Sequence, residues 1–295
     1  MSPTTLRDIV RALGGDLYDG GRRANIPAPG HSRADRSVSL WLKDGRLFVH
    51  TFGDGDWRAV LDHLRALRLV APSGAPRGGE GLASGPDSPG RRTRRAVATQ
   101  LWASGRTTFG APSEFYLRNR HVTRDLPGPW VLRHVQDAPV AVYRPGRLHR
   151  PALLAAIHAV DGELTAVEIT YLTPTGHRDD RLRLPRKTVG IAPAGCAVRL
   201  DPPDREMLVG EGVCTTLSAS ERFALPGWAL MSTRNLRSWT PPGGVRAVLI
   251  AGDRGRDGEA SAERLRRRLR DHGVRARVEL PPRPCGDWND WAAGR

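Results

Sequence analysis

In the stretch VLIAGDRGRDGEASAERLRRRL (residues 248–269) an apolar run stops at Asp253, and a second carboxylate, Asp257, follows four residues later. Acids so placed admit two readings. Strands end at turns, and turns favour Asp and Gly. Alternatively, the acid sits at the carboxyl end of a parallel strand, where open α/β sheets bind their ligands. Other acids fall in similar places: Glu211 follows MLVG, and Asp287 and Asp290 lie in CGDWND, beyond a later apolar run. Taken singly, each fits an ordinary turn or cap. Taken together at one sheet edge, they form a set of hard oxygen donors. Such donors suit Mg²⁺, or Mn²⁺ in its place, which keeps several waters and binds substrate phosphates. A cation held this way supports phosphoryl transfer, with a free carboxylate as general base.

The elements needed to gather these acids can be read around them. REMLVGEG, GWALMST, VRAVLIAGD and VRARVEL have the character of buried strands. VCTTLSASERF and GEASAERLRRRLRDHG read as helices, the second with Ala262, Leu265 and Leu269 on one face. Strands alternating with helices predict a mostly parallel, Rossmann-like α/β sheet over residues 204–295. Residues 97–203 read as a basic α+β domain: AVATQLWASG is helical, and LLAAIHAV and LTAVEITYL form a hairpin about Asp161-Gly162. Residues 71–96 are rich in Gly, Pro and Ser and end in a basic cluster, the signature of a flexible linker. It sets apart a small unit, residues 1–70, with a helix carrying Leu6, Ile9, Val10 and Leu13. Strands SVSLWL and RLFVHTF follow, then a helix from Trp57 to Leu69. No fixed-period repeat is present.

The net charge of +15 favours a polyanionic partner, nucleic acid first, through counterion release and steering. Lysine occurs only at Lys43 and Lys187, so nearly all the positive charge is arginine, which a GC-rich genome also produces. Cys196, Cys214 and Cys285 are widely spaced and form no CxxC pair, a usage that suits a reducing cytoplasm. No apolar stretch approaches the ~18 residues of a membrane span, and no signal-peptide core opens the chain. A cytoplasmic protein without membrane partners is expected.

VGEGVCTTLSA, VLIAGDRGRDGEASAERL and CGDWNDW resemble the successive motifs of the Toprim domain, the fold shared by bacterial and phage primases, type IA and type II topoisomerases and some nucleases. The resemblance implies that Glu211 is the glutamate of the first motif, a general base or metal ligand. It implies that Asp253 is the first aspartate of an Asp-x-Asp pair, and that Asp287 and Asp290 belong to the third acidic cluster. Gly258 matches the glycine that precedes the helix. One departure stands out: the second aspartate of the pair is replaced by Gly255. Asp257, two residues on, either reaches the metal site or caps the helix.

APGHSRADRSVSLWLKDGRLFVHTFGDGDWRAVLDHL is similar to the zinc-ribbon module that precedes Toprim in mobile-element and phage primases. Of its four ligands His31 remains, while Ala28, Thr51 and Gly55 stand at the cysteine positions. A structural zinc site needs four ligands, so no zinc is expected. The unit must then rely on packing of Trp41, Leu47, Phe48 and Phe52. EFYLRNRHV, the hairpin and RLPRKTVG resemble the linker domain of these proteins. That likeness implies template-phosphate or nucleotide contacts for Arg118, Arg120, Arg183, Arg186 and Lys187; a solvated basic face is the alternative at each.

The implied function is a primase-like protein of a phage or other mobile element. It would bind single-stranded DNA and nucleotides and catalyse Mg²⁺-dependent nucleotidyl transfer in DNA replication. Two alternatives stay open: a catalytically degenerate nucleic-acid-binding or replisome factor, and a Toprim nuclease. The chain has no Walker-type phosphate loop, which argues against a built-in helicase motor and leaves room for a separate replicative helicase as partner.

Overall fold

In the computed structural model the described residues are 5–18, 21–33, 35–43, 46–51, 56–71 and 90–294. The chain divides into two units, Met1–Gly90 and Arg91–Arg295. No helix among the described residues is long and apolar enough to cross a membrane.

The first unit is an antiparallel sheet of β1 (Asp16–Tyr18), β2 (Arg23–Ile26), β3 (Val38–Lys43) and β4 (Arg46–Thr51), in that order, flanked by α1 (Leu6–Leu13) and α2 (Trp57–Ala66). Thr5 and Asp8 form a capping box: the Asp8 N–H donates to Thr5 Oγ1 at 3.3 Å, and the Thr5 N–H donates to Asp8 Oδ2 at 2.8 Å. The period of two along β3 turns Val38 and Leu40 inward, where they meet Leu6, Ile9, Ile26, Val60 and Leu64. The same period turns Trp41 outward. It stacks on its cross-strand partner Phe48, with ring centroids 5.4 Å apart. The core is therefore aliphatic, and the Trp41–Phe48 pair lies on the opposite face from it. Leu47 packs at the core's edge; Phe52 and Gly55 lie outside the described residues. His31 is exposed, with Nδ1 3.1 Å from Asp35.

The second unit begins with α3 (Arg91–Ala103), which starts inside the expected linker 71–96. The basic cluster that ended the linker forms the opening turns of this helix, because Ala98 and Leu101 one turn later are buried against the sheet. Residues 72–89 of that segment lie outside the described residues. After α4 (Pro112–Asn119) come β5 (Leu132–Pro139), β6 (His149–His158), β7 (Leu164–Tyr171) and β8 (Arg186–Gly190), antiparallel and adjacent in chain order. β6 and β7 form the expected hairpin, with Gly162 at φ 91° in its turn.

The run PALLAAI in β6 is buried on both faces. One face, with Ala152 and Leu154, packs under α3. The other, with Leu153, Ala155 and Ile157, belongs to the same cluster as Val213, Leu217 and Ala229 further along the chain. Burial of each such Leu contributes about 1.5–3 kcal/mol relative to exposure.

The C-terminal sheet comprises β9 (Val198–Arg199), β10 (Glu206–Gly210), β11 (Gly227–Ala229), β12 (Ala247–Ala251) and β13 (Arg275–Glu279). Its order is β13-β12-β10-β11-β9; the last strand is antiparallel and the other four are parallel. Helices α5 (Val213–Phe223) and α8 (Trp288–Ala292) cover one face, meeting Leu208, Leu249 and Ala251. Helices α6 (Thr233–Ser238) and α7 (Arg256–Asp271) cover the other, meeting Met207, Val209, Val248 and Ile250. Each strand thus buries alternate residues on opposite faces, as a sheet sandwiched between helices requires. The expected α/β domain with a mostly parallel sheet, preceded by an α+β domain, is the observed architecture.

Candidate functional site

Parallel β10 and β12 are neighbours, with Gly210 paired to Ala251, so the residues just beyond them emerge side by side. Those residues include Glu211 and Asp253. A third segment is fastened alongside: the Gly252 N–H donates to Glu279 O at 2.9 Å, the Arg254 N–H to Gly286 O at 2.7 Å, and Arg254 Nε to Pro281 O at 2.7 Å. These bonds hold the 281–286 loop against the end of β12, and the loop delivers Asp287 and Asp290. Asp287 is the N-cap of α8, its Oδ1 accepting from the N–H groups of Asn289 at 2.7 Å and Asp290 at 2.8 Å. Asn289 is fully buried and donates to Ser218 Oγ at 3.0 Å and to the Arg120 carbonyl, tying α8 to both α5 and the preceding domain.

Two glycines permit the close approaches this requires. A Cβ on Gly258 would lie 2.5 Å from Asp253 O, so the first turn of α7 can pass over the strand end only without a side chain there. A Cβ on Gly210 would lie 2.6 Å from Thr216 Oγ1, where α5 returns over β10. Gly258 lies within the helix, which starts two residues before it at Arg256.

Electrostatically the acids act as one group. Burial, followed by the charges of Glu211, Asp287 and Asp290, raises the Asp253 carboxyl from 3.8 to about 7; Arg186 pulls it down. Burial and then Asp257 push Glu211 up, while Arg186, a hydrogen bond from the Thr233 N–H and Arg237 oppose this. Asp253 Oδ1 is buried without a hydrogen-bond partner. A buried carboxylate oxygen left unpaired among other acids costs free energy until a proton or a cation satisfies it.

The donor chemistry fits Mg²⁺: carboxylate oxygens, one of them orphaned, at a strand edge accessible to solvent. Among the described residues no three His, Cys, Asp or Glu groups converge into a ready-made cage. Mg²⁺ does not require one, since it binds through one or two carboxylates with waters and substrate phosphates completing its shell.

Asp257 lies in the first turn of α7 and is ion-paired with Arg237, which also donates to Ser261 Oγ at 2.9 Å. It does not cap the helix: the N-cap is Gly255, whose N–H donates to Glu259 Oε1 at 3.3 Å. Gly255 has φ 111° and ψ 156°, a region that only glycine occupies readily. An aspartate at this position would be strained on this backbone. Gly255→Ala is expected to cost about 1–3 kcal/mol of stability, read from the shift in urea midpoint at unchanged m-value.

The basic residues divide. Arg186 heads β8, and its Nη1 lies 3.9 Å from where a Cβ on Gly212 would stand, beside Glu211. Arg118 donates to Val122 O at 2.7 Å and Arg124 O at 2.8 Å. Lys187 donates to Val140 O at 2.6 Å and lies over the Tyr171 ring. Both cations are engaged in holding the fold. Arg120 is half-buried next to Tyr116 and Cys214, and Arg183 is exposed between β7 and β8. Of the five basic residues singled out in the sequence, Arg186 is the one whose charge reaches the carboxylate cluster.

Sequence reasoning missed Arg237, Asn289 and Glu168, the last a carboxylate 3.8 Å from Arg186 Nε. Glu168 had a readable signal, a lone charge in the otherwise apolar alternation of LTAVEITY. Asn289 lay inside the CGDWND motif but with no role of its own legible there, and Arg237 had no signal, because both roles come from tertiary contacts.

Residues 206–295 match the Toprim domain family, and residues 92–200 match a domain family of unknown function, DUF7146. No curated protein matches the chain. Among solved structures, the primase fragment of the bacteriophage T7 primase-helicase protein is similar at 16% identity and TM-score 0.40, covering 92% of this chain and 94% of that one. The Aquifex aeolicus primase (zinc-binding and RNA polymerase domains) is similar at 11% identity and TM-score 0.47, covering 98% and 79%. The DnaG catalytic core is similar at 13% identity and TM-score 0.45, covering 68% and 76%. By the sequence match, residues 206–295 are a Toprim domain.

Proposed function

We propose that the protein is a primase-like nucleotidyltransferase that uses Mg²⁺ or Mn²⁺ and a single-stranded DNA template, in the replication of a phage or other mobile element. The observation that carries this reading is the orphaned, buried Asp253 Oδ1 set among Glu211, Asp287 and Asp290 at the end of adjacent parallel strands. Asp253 would hold the cation with Asp287 and Asp290 as further metal-binding groups, Asp257 available on release from Arg237, and Glu211 left free as the general base. The cation would neutralise the triphosphate and polarise the α-phosphorus.

In the reaction, the 3′-hydroxyl oxygen of one nucleotide bonds to the α-phosphorus of the next triphosphate. The bond to the β-phosphate bridging oxygen breaks, pyrophosphate leaves, and the hydroxyl proton passes to Glu211. Burial and the neighbouring Asp257 raise the Glu211 carboxyl above its ordinary value, which makes it a stronger base than a solvent-exposed glutamate. Arg186 would face the phosphates from the opposite side, and the surplus of arginine would supply template contacts. A separate replicative helicase is the partner this reading allows.

The second reading is a nucleic-acid-binding factor without turnover. It draws on Gly255 in place of an aspartate and on the Arg237–Asp257 ion pair, which together reduce the carboxylates available. A nuclease would use the same residues with water as nucleophile. The deciding experiment measures Mn²⁺ binding by calorimetry, then primer synthesis and strand cleavage on single-stranded DNA. Saturable binding with primer synthesis supports the first reading. Binding with cleavage alone favours the nuclease, and no Mn²⁺ binding favours the binding factor.

A further inference from the structure

Glu168 is a carboxylate whose side chain is 13% exposed, on a sheet face that also carries the buried Leu153 and Ala155. Its surroundings follow from strand register. In β6, β7 and β8, Leu153 pairs with Thr170 and Thr170 with Arg186, while Ala155 pairs with Glu168 and Glu168 with Thr188. Directly paired residues share a face, as do residues two apart, so Glu168 and Arg186 stand diagonally on one face of the sheet. That face is closed by Tyr116 from α4 and by Val213 and Cys214 from α5. The cavity left between them offers about 10 Å³ to water, at the lower limit for a single molecule. Glu168 is therefore largely, though not wholly, cut off from water.

Arg186 lies between two sets of acids. Its Nε is 3.8 Å from Glu168, and its charge also acts on Glu211 and Asp253. If it turned fully toward the second pair, it would occupy with a fixed cation the place that a metal ion needs. We propose that Glu168 is a positioning residue: it draws the Arg186 guanidinium to one side, so that Arg186 borders the Glu211–Asp253 carboxylates without neutralising them. Arg186 remains free to meet a phosphate while the acids remain free for a divalent cation. Burial raises the Glu168 carboxyl and Arg186 opposes this, so the two side chains depend on each other. The inference rests on the metal-dependent reading above.

The test is Mn²⁺ calorimetry on the full chain as wild type, Glu168→Gln, Arg186→Gln and the double variant, with folding checked by circular dichroism. Glu168→Gln is expected to weaken Mn²⁺ binding about fivefold, as the released guanidinium moves a few ångströms toward the acids. Arg186→Gln in the same chain is expected to restore wild-type affinity or better, a rescue that a packing role for Glu168 would not give. Wild-type affinity in Glu168→Gln, or a double variant as weak as Glu168→Gln, overturns the proposal. A second readout needs no metal: the Arg186 Nε–H resonance in NMR spectra of the metal-free protein. Its chemical shift should differ between wild type and Glu168→Gln; an unchanged shift overturns the proposal. Absence of Mn²⁺ binding in wild type sinks the metal-dependent reading instead, and the NMR comparison then decides the positioning role alone.

Discussion

Glu211→Gln is expected to lower primer synthesis at least about a hundredfold, the low end of what a positioned general base contributes. The substitution is close to isosteric and removes charge at the end of β10 without touching the strand. The paired backbone of β10 and the Met231 N–H bond to Glu211 O at 2.8 Å are unaffected by it. Thermal stability should stay at or above wild type, since a carboxyl raised by burial is removed, and affinity for single-stranded DNA should stay near wild type. Parallel measurement of kcat, melting temperature and DNA affinity checks this. A variant that keeps its activity would remove Glu211 from the mechanism. One that loses DNA affinity as well would point to a role in binding.

Asp253→Asn has two opposed expected effects, one on metal and one on stability. Mn²⁺ binding should be lost, because the substitution removes the charge of the carboxylate whose oxygen has no protein partner. The metal-free protein should become more stable at neutral and higher pH. The sign follows from the direction of the change: a carboxyl raised from 3.8 to about 7 binds its proton more tightly in the folded state. The folded state therefore loses stability as pH rises from about 4 to about 7, and gains none of it back above that range. Each tenfold difference in proton affinity between folded and unfolded states corresponds to ~1.4 kcal/mol, and relaxation of the buried site reduces the total. A gain on the order of 2 kcal/mol is therefore expected for the variant at pH 8. At pH 4 the gain should vanish. In wild type the same proton competes with the cation, so Mn²⁺ affinity should rise between pH 6 and pH 8. Urea denaturation at the two extremes, with calorimetry across the range, checks both effects. Equal stability of the two proteins at pH 8 would show that Asp253 carries no such strain.

The legible parts of this chain are those whose order is local. VCTTLSASERF predicts α5 residue for residue, because its apolar positions follow the helical period. VLIA predicts β12, a fully buried strand that reads as an unbroken apolar run. Strands β5, LRHVQDAP, and β8, RKTVG, gave no such signal; they are strands because β6 and β7 offer them partners. In the candidate site, strand ends placed Glu211 and Asp253, and spacing after β13 placed Asp287 and Asp290. What the sequence left open is where each charge is spent. Asp257 is taken by Arg237 from a different helix, and Arg118 and Lys187 by backbone carbonyls, choices that three-dimensional neighbours make.

The two faces of β6 bear on how the protein could move. One face of that strand shares its buried cluster with α5 and β11 of the Toprim domain. The seam is bolted further: Arg124 pairs with Asp201, Asp201 accepts from the Gly227 N–H at 2.9 Å, and Glu221 accepts from the Thr123 N–H at 3.1 Å. Rotating one domain against the other would expose that cluster and break these bonds together. Arg186 and Glu211 come from opposite sides of this seam, so the gap between them is set by a shared core. On the proposed function, template and growing strand would have to slide through this gap while the protein around it holds still.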